Sequence, residues 1–410
     1  MVVSTLYISY DGMTDPLGQS QILPYLIGLS KKGYCITLIS CEKPKVYQKN
    51  KATIQAICES NKIDWRPIFY HKSPPALSTF WDIVQLKLLA IKLHKQKNFK
   101  LVHARSYIAS LVALGLKQKY GLKFIFDMRG FWADERVEGG LWNVQNILFK
   151  KIYKFFKQKE IQFLSQADYV VSLTENAKIE IHSWEKIKNN PIPIQVIPCC
   201  ADLSHFSIQA VDLSLQAQFK TQLGIQQGDF VMTYLGSIGT WYMLEEMLDF
   251  FVELKKEYPK AIFLFISNDP KDVIEASASA KRIDLSDIKV IKGSRQDVPT
   301  LISLSDVSIF FIKPLFSKKA SSPTKQGELM AMQIPVITNT GVGDTDLIIK
   351  ESKSGLLVKG FNSSNYQEVI AEIDALLQKD IDYRKEAQVY YSLEKGIIKY
   401  AEVYESLTLG

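Results

Sequence analysis

Residues 321–337 read SSPTKQGELMAMQIPVI, and the reading of this segment decides the fold. Ser321, Ser322, Pro323 and Thr324 are residues that open a helix, Lys325 falls in its first turn and Glu328 one turn later, and the apolar run from Pro335 follows at once as a buried strand. A helix handed directly to a buried strand is half of a βαβ unit, and such units build parallel sheets.

The same alternation extends outward. Upstream, FVMTYLGS (230–237), AIFLFIS (261–267), IKVIKG (288–293) and VSIFFIK (307–313) are strand-like runs separated by helical patterns, and PVITNT (335–340) closes the series. An earlier series comprises TLYISY (5–10), ITLISC (36–41), LVHA (101–104), FIFDM (124–128) and YVVSLT (169–174). Two series predict an α/β chain of two doubly wound, Rossmann-like parallel-sheet domains, divided as 1–207 and 208–390. The stretch from Ile197 to about Gln227 has no strand-like run and reads as the linker. A length of 410 residues is too great for one ordinary core, which agrees with two.

Composition narrows the function classes. With 47% hydrophobic and 23% charged residues the chain is globular, and no stretch approaches the roughly 18 to 20 apolar residues of a membrane span. MVVSTLYISYDG enters a strand directly with no charged leader, and five cysteines without metal-ligand spacing suit a reducing compartment, so a cytoplasmic location is expected. The net charge of +7 is carried by lysines crowded between Lys87 and Lys123 and between Lys150 and Lys159. Such a field attracts phosphorylated substrates, anionic lipid or nucleic acid, and nucleic acid ranks last because no nucleic-acid-binding signature accompanies it.

Ligands of doubly wound sheets bind beyond the carboxyl ends of the strands, and the unusual residues of this sequence lie in those loops. The first loop, Asp11 to Gln21, places Gly18 and Gln19 where backbone amides meet a helix start; a ligand loop and a plain strand-to-helix turn fit it equally. It is not the dinucleotide fingerprint, since G-x-G-x-x-G is absent and no acidic residue ends the second strand at Cys41. The fourth run ends in DMRGFWADER, whose Asp127, Arg129, Asp134 and Glu135 read either as a polar site or as a surface ion-pair cluster. His103 and Arg105, at the end of the preceding run, point to the same edge, although a lone histidine there is more often structural.

In the 321–337 segment, free amides, the helix dipole and Lys325 form a site for a diphosphate, with Ser322 and Thr324 at the helix start. Glu328, on the same side as Lys325, can accept two hydrogen bonds from a ribose diol.

PTKQGELMAMQIPVIT resembles the donor-binding segment of glycosyltransferase family 4, and DGMTDPLGQSQILPYL, HARSY, DMRGFWADERVEG, GSIGTWYMLEEML and SPTKQGE resemble a bacterial polysaccharide-assembly branch of it. VIPCCADLSHF (196–206) is similar to the family's interdomain segment, and GVGDTDLI with GLLV to its last sheet region. YSLEKGIIKYAEVYESL (391–407) resembles the tail helix that crosses back onto the first domain, so residues 391–410 are expected there. The resemblance implies the GT-B fold, with a cleft between two domains, and a retaining glycosyltransferase that needs no metal and no cofactor. It implies a nucleotide-sugar donor, with UDP expected, and a glycan or lipid-linked acceptor. By the same resemblance Asp127, Arg129 and Lys325 take catalytic roles. Gly18, Gln19, Gly236, Ser237, Asn268, Ser294, Arg295, Ser322, Thr324, Lys325 and Glu328 hold the donor, and His103, Arg105, Asp134 and Glu135 face the acceptor.

The chain departs from the family at two places. The glutamate usual eight positions before the ribose-binding one is Ala320, and the arginine and lysine usual after the first strand of the second domain are missing from GSIGTWY (236–242). The diphosphate charge then falls to Lys325, Arg295, Lys318 and Lys319, while Trp241 or Tyr242 serves the sugar or the core. Gly293 to Pro299, with Asn268 and Asp269, is the expected base pocket, and Asp344-Thr345-Asp346 is expected in the last strand's loop. LFKKIYKFFKQK (148–159) mixes aromatics and lysines at helical spacing, which suits either an anionic inner-leaflet membrane surface or a helix with aromatics inward and lysines in solvent. A GT-B epimerase or hydrolase and a catalytically silent partner subunit are the rival readings.

Overall fold

The computed structural model describes residues 3–408. It divides into two compact units. One runs to Cys199 and takes back the segment from Leu393, and the other is Cys200–Ser392. The expected border at 207/208 therefore moves to 199/200, and the returning tail begins at Leu393.

The first unit is a seven-stranded parallel sheet in the order β3-β2-β1-β4-β5-β6-β7. Its strands are β1 (Ser4–Ser9), β2 (Cys35–Glu42), β3 (Asp64–Phe69), β4 (Leu101–Arg105), β5 (Lys123–Asp127), β6 (Tyr169–Ser172) and β7 (Ile194–Val196). Every residue of β4 is buried, as a central parallel strand covered by helices on both faces requires. Sequence patterning missed two strands, both at the sheet's edges. β3 reads DWRPIF, and its Pro67 is tolerated because an outer strand has a free side; β7 spans three residues, too short to show a period.

The tail helix, Leu393–Thr408, buries Gly396, Tyr400, Ala401, Val403 and Tyr404 along one stripe. It packs against the Leu23–Lys31 helix, where a Cβ on Gly28 would stand 2.3 Å from Ile397 Cδ1. Only the bare glycine lets the two helices meet this closely.

The second unit is a six-stranded parallel sheet in the order β10-β9-β8-β11-β12-β13. Its strands are β8 (Phe230–Leu235), β9 (Ala261–Ile266), β10 (Ile288–Ile291), β11 (Val307–Phe310), β12 (Val336–Asn339) and β13 (Gly355–Val358). A continuous core fills both faces, with Phe250, Phe251, Phe263 and Phe265 all fully buried. The expected linker is not unstructured: it holds the Leu213–Leu223 helix, capped by Asp212, which accepts from the Leu215 amide at 3.0 Å, and ended by Gly224 at φ 68°. Leu223 is its only buried residue, so its sequence lacks the apolar stripe by which helices are recognised. In both sheets the strand order reverses once, between β1 and β4 and between β8 and β11. Those reversals are where such sheets take ligands.

Candidate active site

In the second unit the Thr324–Ala331 helix leaves the loop after β11 with Pro323 at its N-cap, as the sequence predicts. Lys325, in its first turn, does not reach into solvent. Its side chain is buried, and Nζ lies 3.7 Å from the centre of the Tyr242 ring, 4.2 Å from Tyr234 and 5.7 Å from Phe310. Nζ has no hydrogen-bond partner among the described residues. Burial pulls the Lys325 amine down to about 7, with Glu328 working against that. Aromatic faces are thus what this nitrogen has in place of an anion.

Lys325 also closes on the loop after β8. A Cβ built on Gly236 would stand 3.3 Å from Nζ, and Gly236 sits at φ 113°, where a side chain is strained in any case. The loop is held firmly: Asp269 accepts from the Ile238 amide at 2.6 Å and from Ser267 Oγ at 3.1 Å, and the Tyr234 hydroxyl donates to the Ser237 carbonyl. Asp269, expected at a base pocket, thus braces this loop.

Glu328 is partly buried one turn beyond Lys325. Burial pushes its carboxyl up to about 7, against the pull of Arg295 and Lys325. Arg295 follows β10, its guanidinium over Phe206 at 5.8 Å and its carbonyl accepting from His205 Nε2 at 2.8 Å. Ser294 is occupied, since its amide and hydroxyl both donate to Asp297 Oδ2, at 3.0 and 2.6 Å. Asn268 is exposed after β9. Lys318 is buried with Nζ 3.6 Å from the centre of the Trp241 ring, and Ala320 is buried nearby in the chain. Asp344 stands at the N-cap position of the Thr345–Ser352 helix, and Asp346, in its first turn, accepts from the Gly341 amide at 3.2 Å.

In the first unit Asp127, at the end of β5, has no exposed surface. Its Oδ2 accepts from the Tyr400 hydroxyl at 3.0 Å and lies 3.5 Å from His103 Nε2 and 3.8 Å from Arg105 Nη1, while Oδ1 lies 3.8 Å from Arg129 Nη1. Burial alone would raise its carboxyl, but Arg129, His103 and Arg105 hold it at about 2. His103 Nδ1 meets the Tyr404 hydroxyl at 2.8 Å, and burial lowers its imidazole. Arg129 adopts φ 59° and donates to Cys199 Sγ at 3.2 Å. Arg105 reaches the first loop, 3.5 Å from Asp11.

Residues 25–205 match the family described as Glycosyltransferase Family 4, and residues 216–390 match Glycosyl transferases group 1. The chain belongs to the family 4, group 1 glycosyltransferases. The solved structures this glycosyltransferase resembles include a sucrose-phosphate synthase from Thermosynechococcus elongatus (TM-score 0.72, 15% identity, 99% of each chain covered). Another is a glycosyltransferase from Rickettsia africae ESF-5 (TM-score 0.71, 16% identity, 99% of this chain and 98% of that one). A third is HepE from Anabaena in complex with UDP and glucose (TM-score 0.67, 11% identity, 98% of this chain and 100% of that one). These likenesses establish the GT-B fold. No curated protein sequence matches the chain.

Within this glycosyltransferase the expected residues separate. Lys325, Glu328, Gly236 and Arg295 come together about the β8–β11 reversal. Asp127, Arg129, His103 and Arg105 also come together, but in a buried cluster between β5 and the tail helix, where Asp127, expected to be catalytic, accepts from Tyr400. Asp134, expected on the acceptor side, is largely buried and accepts from Tyr153 at 2.8 Å and Lys157 at 2.7 Å. Glu135 is half-buried on the same short helix, Trp132–Glu138. Gly18 packs on Gly12, where a Cβ would stand 2.2 Å from the Gly12 carbonyl oxygen, and Gln19 donates to the Thr14 carbonyl at 3.0 Å.

Sequence reasoning missed Glu42. β2 ends there and not at Cys41, and the buried carboxylate accepts from the Met13 amide at 2.7 Å, the Thr14 amide at 3.1 Å and Ser40 Oγ at 2.6 Å. An acidic residue one position past a strand-like run was the available signal. Tyr234 and Phe310, which with Tyr242 surround Lys325, read only as strand residues.

Proposed function

We propose that this glycosyltransferase moves a sugar from a UDP-sugar onto a hydroxyl of a glycan or lipid-linked acceptor in polysaccharide synthesis, with retention of configuration and without a metal ion. The observation that carries the reading is Lys325 Nζ against Gly236, at the loop where the family's usual arginine and lysine are absent. A cation delivered from the Thr324–Ala331 helix, after β11, takes the place of those two bases. The amides at the start of that helix add their dipole, and Glu328 is one turn away for the ribose hydroxyls. HepE in complex with UDP and glucose supports the choice of base.

Breaking the anomeric bond leaves negative charge on the diphosphate, which Lys325 and the helix amides stabilise. In a retaining transfer the acceptor attacks the face that the diphosphate leaves, and a diphosphate oxygen takes the acceptor's proton. The protein then chiefly fixes the partners in place. Thermal shift with UDP, GDP, ADP and TDP tests the donor: UDP at about a hundred times its Kd should add about 2.7 kcal/mol of stability. No stabilisation by any of them would favour a silent partner subunit, for which Ala320 speaks. Product analysis with donor alone separates an epimerase or hydrolase, because a transferase then gives only slow hydrolysis.

Among the described residues no helix is long and apolar enough to cross a membrane. The Ile147–Gln166 helix buries Phe156 and Phe163 and leaves Ile147, Leu148 and Phe155 exposed beside Lys150, Lys151 and Lys154. That face suits peripheral binding to an anionic inner leaflet.

A further inference from the structure

A second constellation lies toward the β3 edge of the first sheet, and neither the donor site nor the Asp127 cluster uses it. Asp82 has no exposed surface and belongs to the buried face of the Leu77–Lys97 helix. Its Oδ2 accepts from the Tyr10 hydroxyl at 2.8 Å and from the His71 amide at 3.1 Å, and its Oδ1 meets His71 Nδ1 at 2.6 Å. A carboxylate that takes three donors is an acceptor only, so Nδ1 carries the hydrogen and the tautomer is fixed. His71 Nε2 is left on a ring whose side chain is 44% exposed, with no partner among the described residues. A buried carboxylate thus aims one imidazole lone pair outward.

The surroundings say what that lone pair meets. Tyr10 follows β1 and His71 follows β3, both beyond the carboxyl ends of parallel strands. Tyr70 stands edge-on to Tyr10 at 5.6 Å, and Phe69 is 48% exposed. Burial and then Asp82 push the Tyr10 hydroxyl up, which keeps it a donor. Cys41, which also faces Asp82, is buried with its thiol pushed up, so it supplies the dyad no thiolate. Aromatic faces around one directed polar atom suit a ring with apolar C–H faces and a rim of hydroxyls, which is a pyranose.

We propose that His71, oriented by Asp82, binds a hydroxyl of the acceptor sugar, which lies against Tyr10 and Tyr70. The hydroxyl donates to Nε2 and no proton is transferred in this role; the bond fixes the orientation of the hydroxyl oxygen. Asp82 is a positioning residue. The inference rests on the transferase reading above, and the two fail separately.

The test is imidazole NMR of the full chain labelled with 15N-histidine, titrated with methyl α- and β-glycosides of glucose, galactose, mannose and N-acetylglucosamine, with UDP thermal shift in parallel. His71→Gln assigns the His71 signals. At least one glycoside should move the Nε2 signal of His71 alone, and Asp82→Asn should abolish that response. Transfer to that glycoside should fall about 100-fold in His71→Ala, while slow donor hydrolysis and the UDP thermal shift persist. If UDP stabilises the protein and no glycoside moves the His71 signal, the acceptor role is overturned; equal transfer by His71→Ala also overturns it. Failure of UDP to stabilise the chain sinks the donor reading instead, while the glycoside response of His71 still decides this one.

Discussion

Lys325 Nζ stands 3.7 Å from the centre of the Tyr242 ring, and burial holds its amine at about 7. An amine of that kind is only partly charged at neutral pH, and a diphosphate would complete its protonation. The free-state value lies below the bound-state value, so above about pH 7 binding must take up a proton. UDP affinity should therefore fall as pH rises past 7, by up to about tenfold per unit. Calorimetry in buffers of different ionisation enthalpy should find roughly one proton taken up per UDP near pH 8. Lys325→Met should weaken UDP about 10- to 100-fold and remove this limb. An unchanged alkaline limb in that variant would assign the proton to another group.

Glu328 has the opposite ionisation. Its carboxyl, raised to about 7 by burial, gains full acceptor capacity only as pH rises through that value. Glu328→Ala should cost about 10- to 100-fold in UDP affinity, the worth of hydrogen bonds to a charged group, with the melting temperature of the free protein unchanged. Isothermal titration of UDP against uridine-free pyrophosphate distinguishes the ribose contact, because pyrophosphate affinity should hardly change. Equal losses for both ligands would count against the ribose assignment.

The Asp127 cluster is a matter of stability. Its carboxyl is held at about 2 in the fold against an ordinary 3.8, a depressed value. The stabilisation is full above the ordinary value and is lost as pH falls from about 4 towards 2, amounting to about 2 kcal/mol. Asp127→Asn leaves Arg129 and Arg105 buried beside a neutral group and should destabilise the first unit by roughly 3 to 5 kcal/mol. Denaturant unfolding measures it, and a loss below about 1 kcal/mol would show the cluster to be open to solvent.

Gly18→Ala tests the first loop. The new methyl would meet the Gly12 carbonyl oxygen at 2.2 Å, a contact that only a backbone shift relieves. The expected cost is roughly 1 to 3 kcal/mol by thermal unfolding. A neutral result would mean that the loop yields freely.

Vesicle pelleting addresses the Ile147–Gln166 helix. Reversal of Lys150, Lys151 and Lys154 to glutamate should abolish sedimentation with phosphatidylglycerol-containing vesicles, and high salt should do the same to the wild type. Binding indifferent to anionic lipid would remove the idea.

The strand runs from Thr5 to Thr340 declared two parallel sheets because strands covered on both faces must be apolar along their whole length. Likewise Pro323 and the hydroxyls beside it announced a helix start, and the Lys325–Glu328 spacing placed a cation and a carboxylate on one side of it. Those are local facts, fixed by residues within a turn or two. What lies around each group is not local. Asp127 reads as a polar site in the sequence, but Tyr400, nearly three hundred residues along the chain, donates to its Oδ2, and Tyr404 meets the His103 beside it. The aromatic walls of Lys325 come from β8, the following loop and β11, and His71 gains its orientation from Asp82 across a turn of irregular chain. Side-chain identity is written in the sequence, but burial and partners, which set a group's charge and direction, arise only when distant strands and helices are brought side by side.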